Sequence, residues 1–184
     1  MGDVVLTTDR LELRRIGEGD IDLQMQHLNT PPVMARLGGV KSREQIADKH
    51  AKAQACFDTD GFGFMMVFER DTGELVGHCG LKRVDNPLAP NTGDHEIGWL
   101  IREDRWRMGY AEEAVRAIIE WGFGTHGAPH LVALTSKANT GSWRLMEKLG
   151  MVRRPDLDFS DSGFPGPDDP TIQYALTKEQ WEKT

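Results

Sequence analysis

The sequence predicts a mixed α/β fold in one domain. Three observations predict it. Between residues 62 and 101, three successive segments alternate apolar and polar or small side chains with period two, and turn signals separate them. Segments of helical period lie on both sides of that block. The 184 residues show no repeat, linker or low-complexity stretch, and their number suits one domain spanning 1–184.

The elements follow in order. Leu11 and Leu13 alternate with Arg10, Glu12 and Arg14, as in a half-buried strand. Asp20 is placed to cap a short helix carrying Ile21, Met25 and Leu28, which Thr30-Pro-Pro would end. Ser42 and Gln45 have capping-box spacing, and Ile46, His50, Ala53 and Phe57 carry a second helix to about residue 58. Phe62, Phe64, Met66 and Phe68 form a strand stripe expected in the core. Asp71-Thr-Gly73 is a hairpin turn, Leu75 to Val84 the next strand, and His95 to Ile101 the one after, with Ile97, Trp99 and Ile101 on one face. A helix carrying Ala111, Ala114, Val115, Ile118 and Gly122 follows. Then come a short strand, Leu131 to Leu134, and a helix capped by Asn139 or Thr140 and stopped by Gly150. Pro155 to Pro170 reads as a loop, Ile172 to Leu176 as a closing strand, and Thr177 with Gln180 as a second capping box.

Composition narrows the chemistry. Lys and Arg number 22 against 29 Asp and Glu, a net charge of −7. That argues against a nucleic-acid backbone binder and suits a cationic substrate weakly. Cys56 and Cys79 have no metal-ligand spacing, and both are expected as buried small hydrophobes. His126 and His130 flank a turn and are not expected to hold a metal. The first residues lack a secretory pattern and no run is long enough to span a membrane, so the expected setting is cytoplasmic.

The most informative segment is Arg105-Trp-Arg-Met-Gly109-Tyr-Ala111-Glu-Glu-Ala114, which leaves a strand and enters a helix. Such a turn leaves backbone N–H groups unpaired in front of a helix dipole, an anion site suited to a pyrophosphate. Gly109 and the small Ala111 would let a phosphate approach the backbone. No Gly-Lys-Ser/Thr follows, and G-x-G-x-x-G is absent. About thirty residues later comes Asn139-Thr-Gly-Ser142-Trp-Arg144-Leu-Met146-Glu-Lys-Leu-Gly-Met151.

Together these two segments resemble the GNAT N-acetyltransferase superfamily, and within it the branch of ribosomal-protein N-terminal (alanine) acetyltransferases. Glu96-Ile-Gly98-Trp resembles the family's central strand, and Thr8-Asp-Arg-Leu-Glu-Leu-Arg14 the branch's opening strand. The resemblance covers roughly residues 8 to 182. It implies a mostly antiparallel, twisted central sheet flanked by helices and splayed between its fourth and fifth strands, here Glu96–Ile101 and Leu131–Thr135, with acetyl-CoA as co-substrate and no metal. The pantetheine arm would bond the edge at Leu100 and Ile101. Amides of Arg107, Met108, Gly109, Tyr110 and Ala111 would hold the pyrophosphate. Asn139 and Ser142 would meet the pantetheine end, and Arg144 an adenosine phosphate.

The expected activity is N-acetyl transfer to a primary amine, on a peptide N-terminus or a small molecule, by direct attack in a ternary complex. Glu96, on the strand face opposite Ile97 and Trp99, is the candidate base through a water. Two positions depart from the family: 107 is often glycine and is Arg here, and the family's acid tyrosine falls on Met146. The acid is then Ser142, another residue or a water, and Ser142 is the candidate. The missing tyrosine leaves open a non-catalytic acyl-CoA-binding or regulatory module on the same fold. Thr30 to Val40 and Pro155 to Pro170 are the expected lips of the acceptor site. Aspartates of the second lip either attract a cationic amine or belong to a mobile, solvated acidic loop. The branch also implies self-association as a homodimer.

Overall fold

The computed structural model describes residues 2–184. Eight strands form one sheet in the order β1-β2-β3-β4-β5-β6-β8-β7. The strands are β1 (Val4–Thr7), β2 (Leu11–Arg15), β3 (Phe64–Glu69), β4 (Leu75–Arg83), β5 (His95–Ile101), β6 (His130–Ser136), β7 (Val152–Arg153) and β8 (Thr171–Thr177). The helices are α1 (Asp20–His27), α2 (Pro31–Met34), α3 (Arg43–Asp60), α4 (Tyr110–Gly124), α5 (Thr140–Lys148) and α6 (Lys178–Trp181). Antiparallel ladders join β1 to β2, β2 to β3, β3 to β4, β6 to β8 and β7 to β8. β5 and β6 run parallel, with Glu96 opposite Val132. The mostly antiparallel α/β sheet read from the sequence is the one observed.

The chain divides into two compact units. The first holds residues 1–82 and 98–118. One face of its strands packs Met66, Phe68 and Leu75 against Ile16, Leu28 and Ala53, and these side chains are almost fully buried. A buried bond of 2.6 Å between His50 Nε2 and Gln24 Oε1 ties α3 to α1. The second unit holds residues 83–97 and 119–184. There Val84, Ala89, Val132 and Ala175 form a core, and the seven-residue register of β6 on β8 is its spine.

Both capping boxes form as expected, at Ser42 with Gln45 and at Thr177 with Gln180. Gly150 ends α5 at φ 81°. Three readings need correction. Gly19, not Asp20, is the N-cap of α1. Asp20 is the first helical residue, and its buried carboxylate accepts the Gly17 N–H at 2.7 Å. Pro31 and Pro32 do not merely end α1. They open the short α2, because a proline lacks only the N–H that a first helical turn leaves unused. Cys79 is buried, and burial pushes its thiol pKa up, but Cys56 is half-exposed.

Candidate active site

The turn between β5 and α4 belongs to the first unit. A 3-10 turn at Glu103–Arg105 leaves the strand, and the indole Nε1 of Trp106 donates to the Ile101 carbonyl at 2.8 Å. Arg107 then takes φ 62° and Gly109 φ 83°. Arg107 is the one non-glycine residue at positive φ among the described residues, which explains why glycine suits this position. The first helical bond of α4 runs from Glu113 N–H to the Gly109 carbonyl at 3.0 Å. Ahead of it, the N–H groups of Arg107, Met108, Gly109, Tyr110 and Ala111 donate to no protein group among the described residues. Five adjacent free amides at the mouth of a 15-residue helix are the donor set an anion needs.

Side chains fix this turn from below. Tyr110 is buried and its hydroxyl donates to Glu69 Oε1, so Tyr110 offers only its backbone outward. That bond holds the Tyr110 pKa up and the Glu69 pKa down. Arg105 bridges to Glu74 and, at 3.9 Å, to Glu69. The Arg107 side chain is exposed and has no partner among the described residues. Sequence reasoning missed the contribution of Thr8 and Arg10, which bind Glu113 in the first turn of α4. The only hint was their place in the branch-like opening strand, since the contact spans 103 positions.

Leu100 and Ile101 end the strand that feeds this turn. Gly98, two residues earlier, has no room for a side chain, since a Cβ there would come within 2.7 Å of the Phe64 ring. Also in this unit, an open cleft of about 520 Å³ is lined by Gln26, His27, Thr30, Arg102, Glu103 and Asp104. Thr30, at the start of an expected lip, has a buried hydroxyl without a hydrogen-bond partner. His78 on β4 packs on Phe64 at 4.8 Å between ring centroids. Its Nε2 is buried and unpartnered, and burial, with His50 and Lys49 nearby, pushes its pKa down to about 3.

In the second unit, Asn139, Ser142 and Arg144 lie together at the start of α5. Asn139 is the N-cap, yet its side chain makes no capping bond. The Ser142 hydroxyl, half-buried, also has no partner among the described residues. Neither side chain is therefore spent on helix capping. Arg144 is exposed, 5.6 Å from the Trp143 ring centroid. Met146 is fully buried, so the position of the family's tyrosine belongs to the core here. Tyr174 is packed, and its hydroxyl donates to Glu147 at 3.1 Å. Glu96 is half-buried on the first part of β5, in this unit.

The 155–170 segment differs from a solvated acidic loop. Asp156 pairs with Arg154, Asp158 with Arg153, Asp161 accepts from Asn86, and Asp168 accepts from Ser136. Fully buried Gln173 holds the segment from β8, donating to the Leu157 carbonyl at 2.7 Å and exchanging bonds with Asn91. Four of its aspartates are thus engaged, and arginines offset the charge of two of them, Asp156 and Asp158. No group of His, Cys, Asp and Glu among the described residues could hold a metal. His130 instead contacts Asp94 at 2.9 Å. No described helix is long and apolar enough to cross a membrane.

Residues 10–152 match the family model of the acetyltransferase (GNAT) domain. The chain belongs to the GNAT family. It is similar to the Bacillus subtilis protein named "Uncharacterized N-acetyltransferase YoaA", 31% identical over 152 residues, covering 81% of this chain and 83% of the relative. It is 27% identical over 183 residues to the FsC-acetyl coenzyme A-N(2)-transacetylase of Aspergillus fumigatus, covering 96% and 77%. Among solved structures, an acetyltransferase of Agrobacterium tumefaciens superposes with a TM-score of 0.79 at 28% identity, covering 94% of each chain. The GNAT chain described here is thus an N-acetyltransferase, of a family that uses acetyl-CoA.

Proposed function

We propose that residues 1–184 act as one acetyltransferase domain that moves the acetyl group of acetyl-CoA to a primary amine, on a peptide N-terminus or a small molecule, within a ternary complex. The observation that carries this reading is the row of five free amides from Arg107 to Ala111. Acetyl-CoA would supply the activated thioester. The amides bind its diphosphate, and the unpartnered Arg107 guanidinium adds a mobile positive charge beside them. The backbone of Leu100 and Ile101 meets the pantetheine arm, as the family resemblance implies. Asn139 and Ser142 offer unspent side-chain groups for the same arm, and Arg144 a charge for an adenosine phosphate.

The chain's residues have two protons to manage. An amine attacks only when neutral. An α-amine of pKa about 8 loses roughly 1.4 kcal/mol to protonation at pH 7, and a lysine of about 10.4 roughly 4.6 kcal/mol. An N-terminal amine thus needs little from a base, and Glu96 takes its proton through a water. The Ser142 hydroxyl gives a proton to the departing thiolate and regains one from solvent water, the task that buried Met146 cannot perform. Calorimetry with CoA, ATP and NAD tests the phosphate site first. Thiol release from acetyl-CoA is then followed with N-terminal peptides, lysine peptides, amino acids, polyamines and aminoglycosides. CoA binding with amine-dependent thiol release supports the reading. CoA binding with no release by any amine defeats the catalytic roles given to Glu96 and Ser142, and no CoA binding defeats the whole.

A further inference from the structure

α4 opens with two acids, Glu112 and Glu113, where a dianionic diphosphate has to sit. The helix dipole favours such acids, but an unpaired carboxylate there competes with the ligand for the same positive field. Glu112 is paired with Arg116 one turn on, at 3.2 Å. Glu113 is handled differently. Its Oε1 accepts the Thr8 hydroxyl at 2.6 Å and the Arg10 backbone N–H at 2.8 Å, and its Oε2 accepts Arg10 Nε at 2.7 Å. These bonds come from the turn between β1 and β2, remote in sequence.

Arg10 does more than neutralise. Its Nη1 donates to the Met108 carbonyl at 3.0 Å, so one guanidinium spans the phosphate turn and the first turn of α4. Its plane lies over the Tyr110 ring, 4.4 Å from the centroid. Nη2 lies beside Gly109, where a Cβ would approach it to 3.2 Å. The missing side chain at Gly109 therefore makes room for Arg10 as well as for a phosphate. With the Met108 carbonyl held by Arg10, the neighbouring N–H groups stay free of competing protein acceptors.

We propose that Arg10 is the positioning residue of the cofactor-phosphate site: it cancels the Glu113 carboxylate and pins the Met108 carbonyl, so the free amides face an anion without a repelling charge behind them. This inference rests on the proposed use of acetyl-CoA. The Glu113 pKa agrees with it. Burial pushes it up, but the Thr8 and Arg10 bonds and the Arg10 charge outweigh burial and hold it low. Thr8 supports the pair by fixing the Oε1 oxygen.

The test is a mutant cycle of R10A, E113Q and R10A/E113Q. CoA affinity is measured by calorimetry, and KM and kcat with acetyl-CoA and with S-acetyl-N-acetylcysteamine, a thioester without phosphates. R10A is expected to weaken CoA about tenfold and to raise the acetyl-CoA KM by a similar factor. Its kcat should change less than about twofold, with no loss on the short thioester. The double variant should recover most of the CoA affinity, because the neutral amide no longer repels the anion. A purely structural role predicts the reverse, with a double variant no better than R10A and equal losses on both thioesters, and that result overturns the proposal. E113Q alone is expected to bind CoA at least as tightly as wild type, so it gives an answer even if R10A fails to fold. Wild type failing to bind CoA defeats the proposed function itself, whereas wild-type binding with an unaffected R10A defeats this inference alone.

Discussion

His78 makes the protein lose stability in mild acid. Its ordinary pKa of 6.5 falls to about 3 in the folded chain, because burial opposes its charge and His50 and Lys49 of α3 oppose it further. The folded state therefore keeps the imidazole neutral, while the unfolded chain takes up a proton as pH falls below 6.5. A depressed histidine pKa thus leaves stability intact above that value and removes it progressively below. At pH 5.5 the unfolded-state histidine is about nine-tenths protonated and the folded one is not, a loss on the order of 1 kcal/mol relative to pH 7.5. Urea unfolding at the two pH values measures it. His50 and His126 also have lowered pKa values from burial and add to the wild-type loss. The control is His78→Phe, which keeps a ring on Phe64 but cannot titrate. The wild type should lose on the order of 1 kcal/mol more than the variant between pH 7.5 and 5.5. Equal losses would refute the argument, because they would mean that His78 takes up its proton as readily folded as unfolded.

Three other substitutions probe the site and its supports. Arg107→Gly removes a left-handed non-glycine residue, which costs about 1–2 kcal/mol, against a glycine entropy cost of about 0.5–1 kcal/mol. Thermal unfolding should show a gain of about 0.5–1 kcal/mol, and a lower Tm would contradict it. Gln173→Leu strands the Leu157 carbonyl and the Asn91 amide, so it should cost about 1–3 kcal/mol and speed proteolysis within 155–170; an unchanged cleavage rate would free Gln173 of that role. Ser142→Ala should lower kcat about a hundredfold with little change in acetyl-CoA KM, and an unaffected kcat would remove Ser142 as the acid.

The periodic elements were legible because burial wrote them into the sequence. The stripe from Phe62 to Phe68, the hairpin at Gly73 and the boxes at Ser42 and Thr177 are local patterns with local causes. What escaped had weak local signals. β1 is a partly exposed edge strand of four residues, and β7 has only two. The prolines of α2 read as a stop because the same residue serves a helix start. The anion turn was readable from Gly109 and Ala111, whereas the Arg10–Glu113 pair depends on the turn between β1 and β2 meeting α4 in space. The aspartates of 155–170 looked free because composition does not show pairing. Yet Arg153 and Arg154, at the head of that segment, engage two of them.

That pairing resolves an apparent conflict between an acidic chain and an anionic co-substrate. A net charge of −7 sets the distant field, which salt screens within about 8–10 Å. What a diphosphate meets is set at shorter range. Around the turn, Glu113 is matched by Arg10, Glu112 by Arg116, and Glu69 and Glu74 by Arg105. Those four acids are balanced by Arg10, Arg105, Arg116 and the exposed Arg107, so the sign of the field at the turn is set by the helix mouth, where five adjacent amides meet no protein acceptor among the described residues. The positive field a diphosphate meets is thus short-ranged, within an anionic surface. Raising ionic strength should accordingly weaken CoA binding, the sign expected of attraction to a local positive site and opposite to that expected from the net charge.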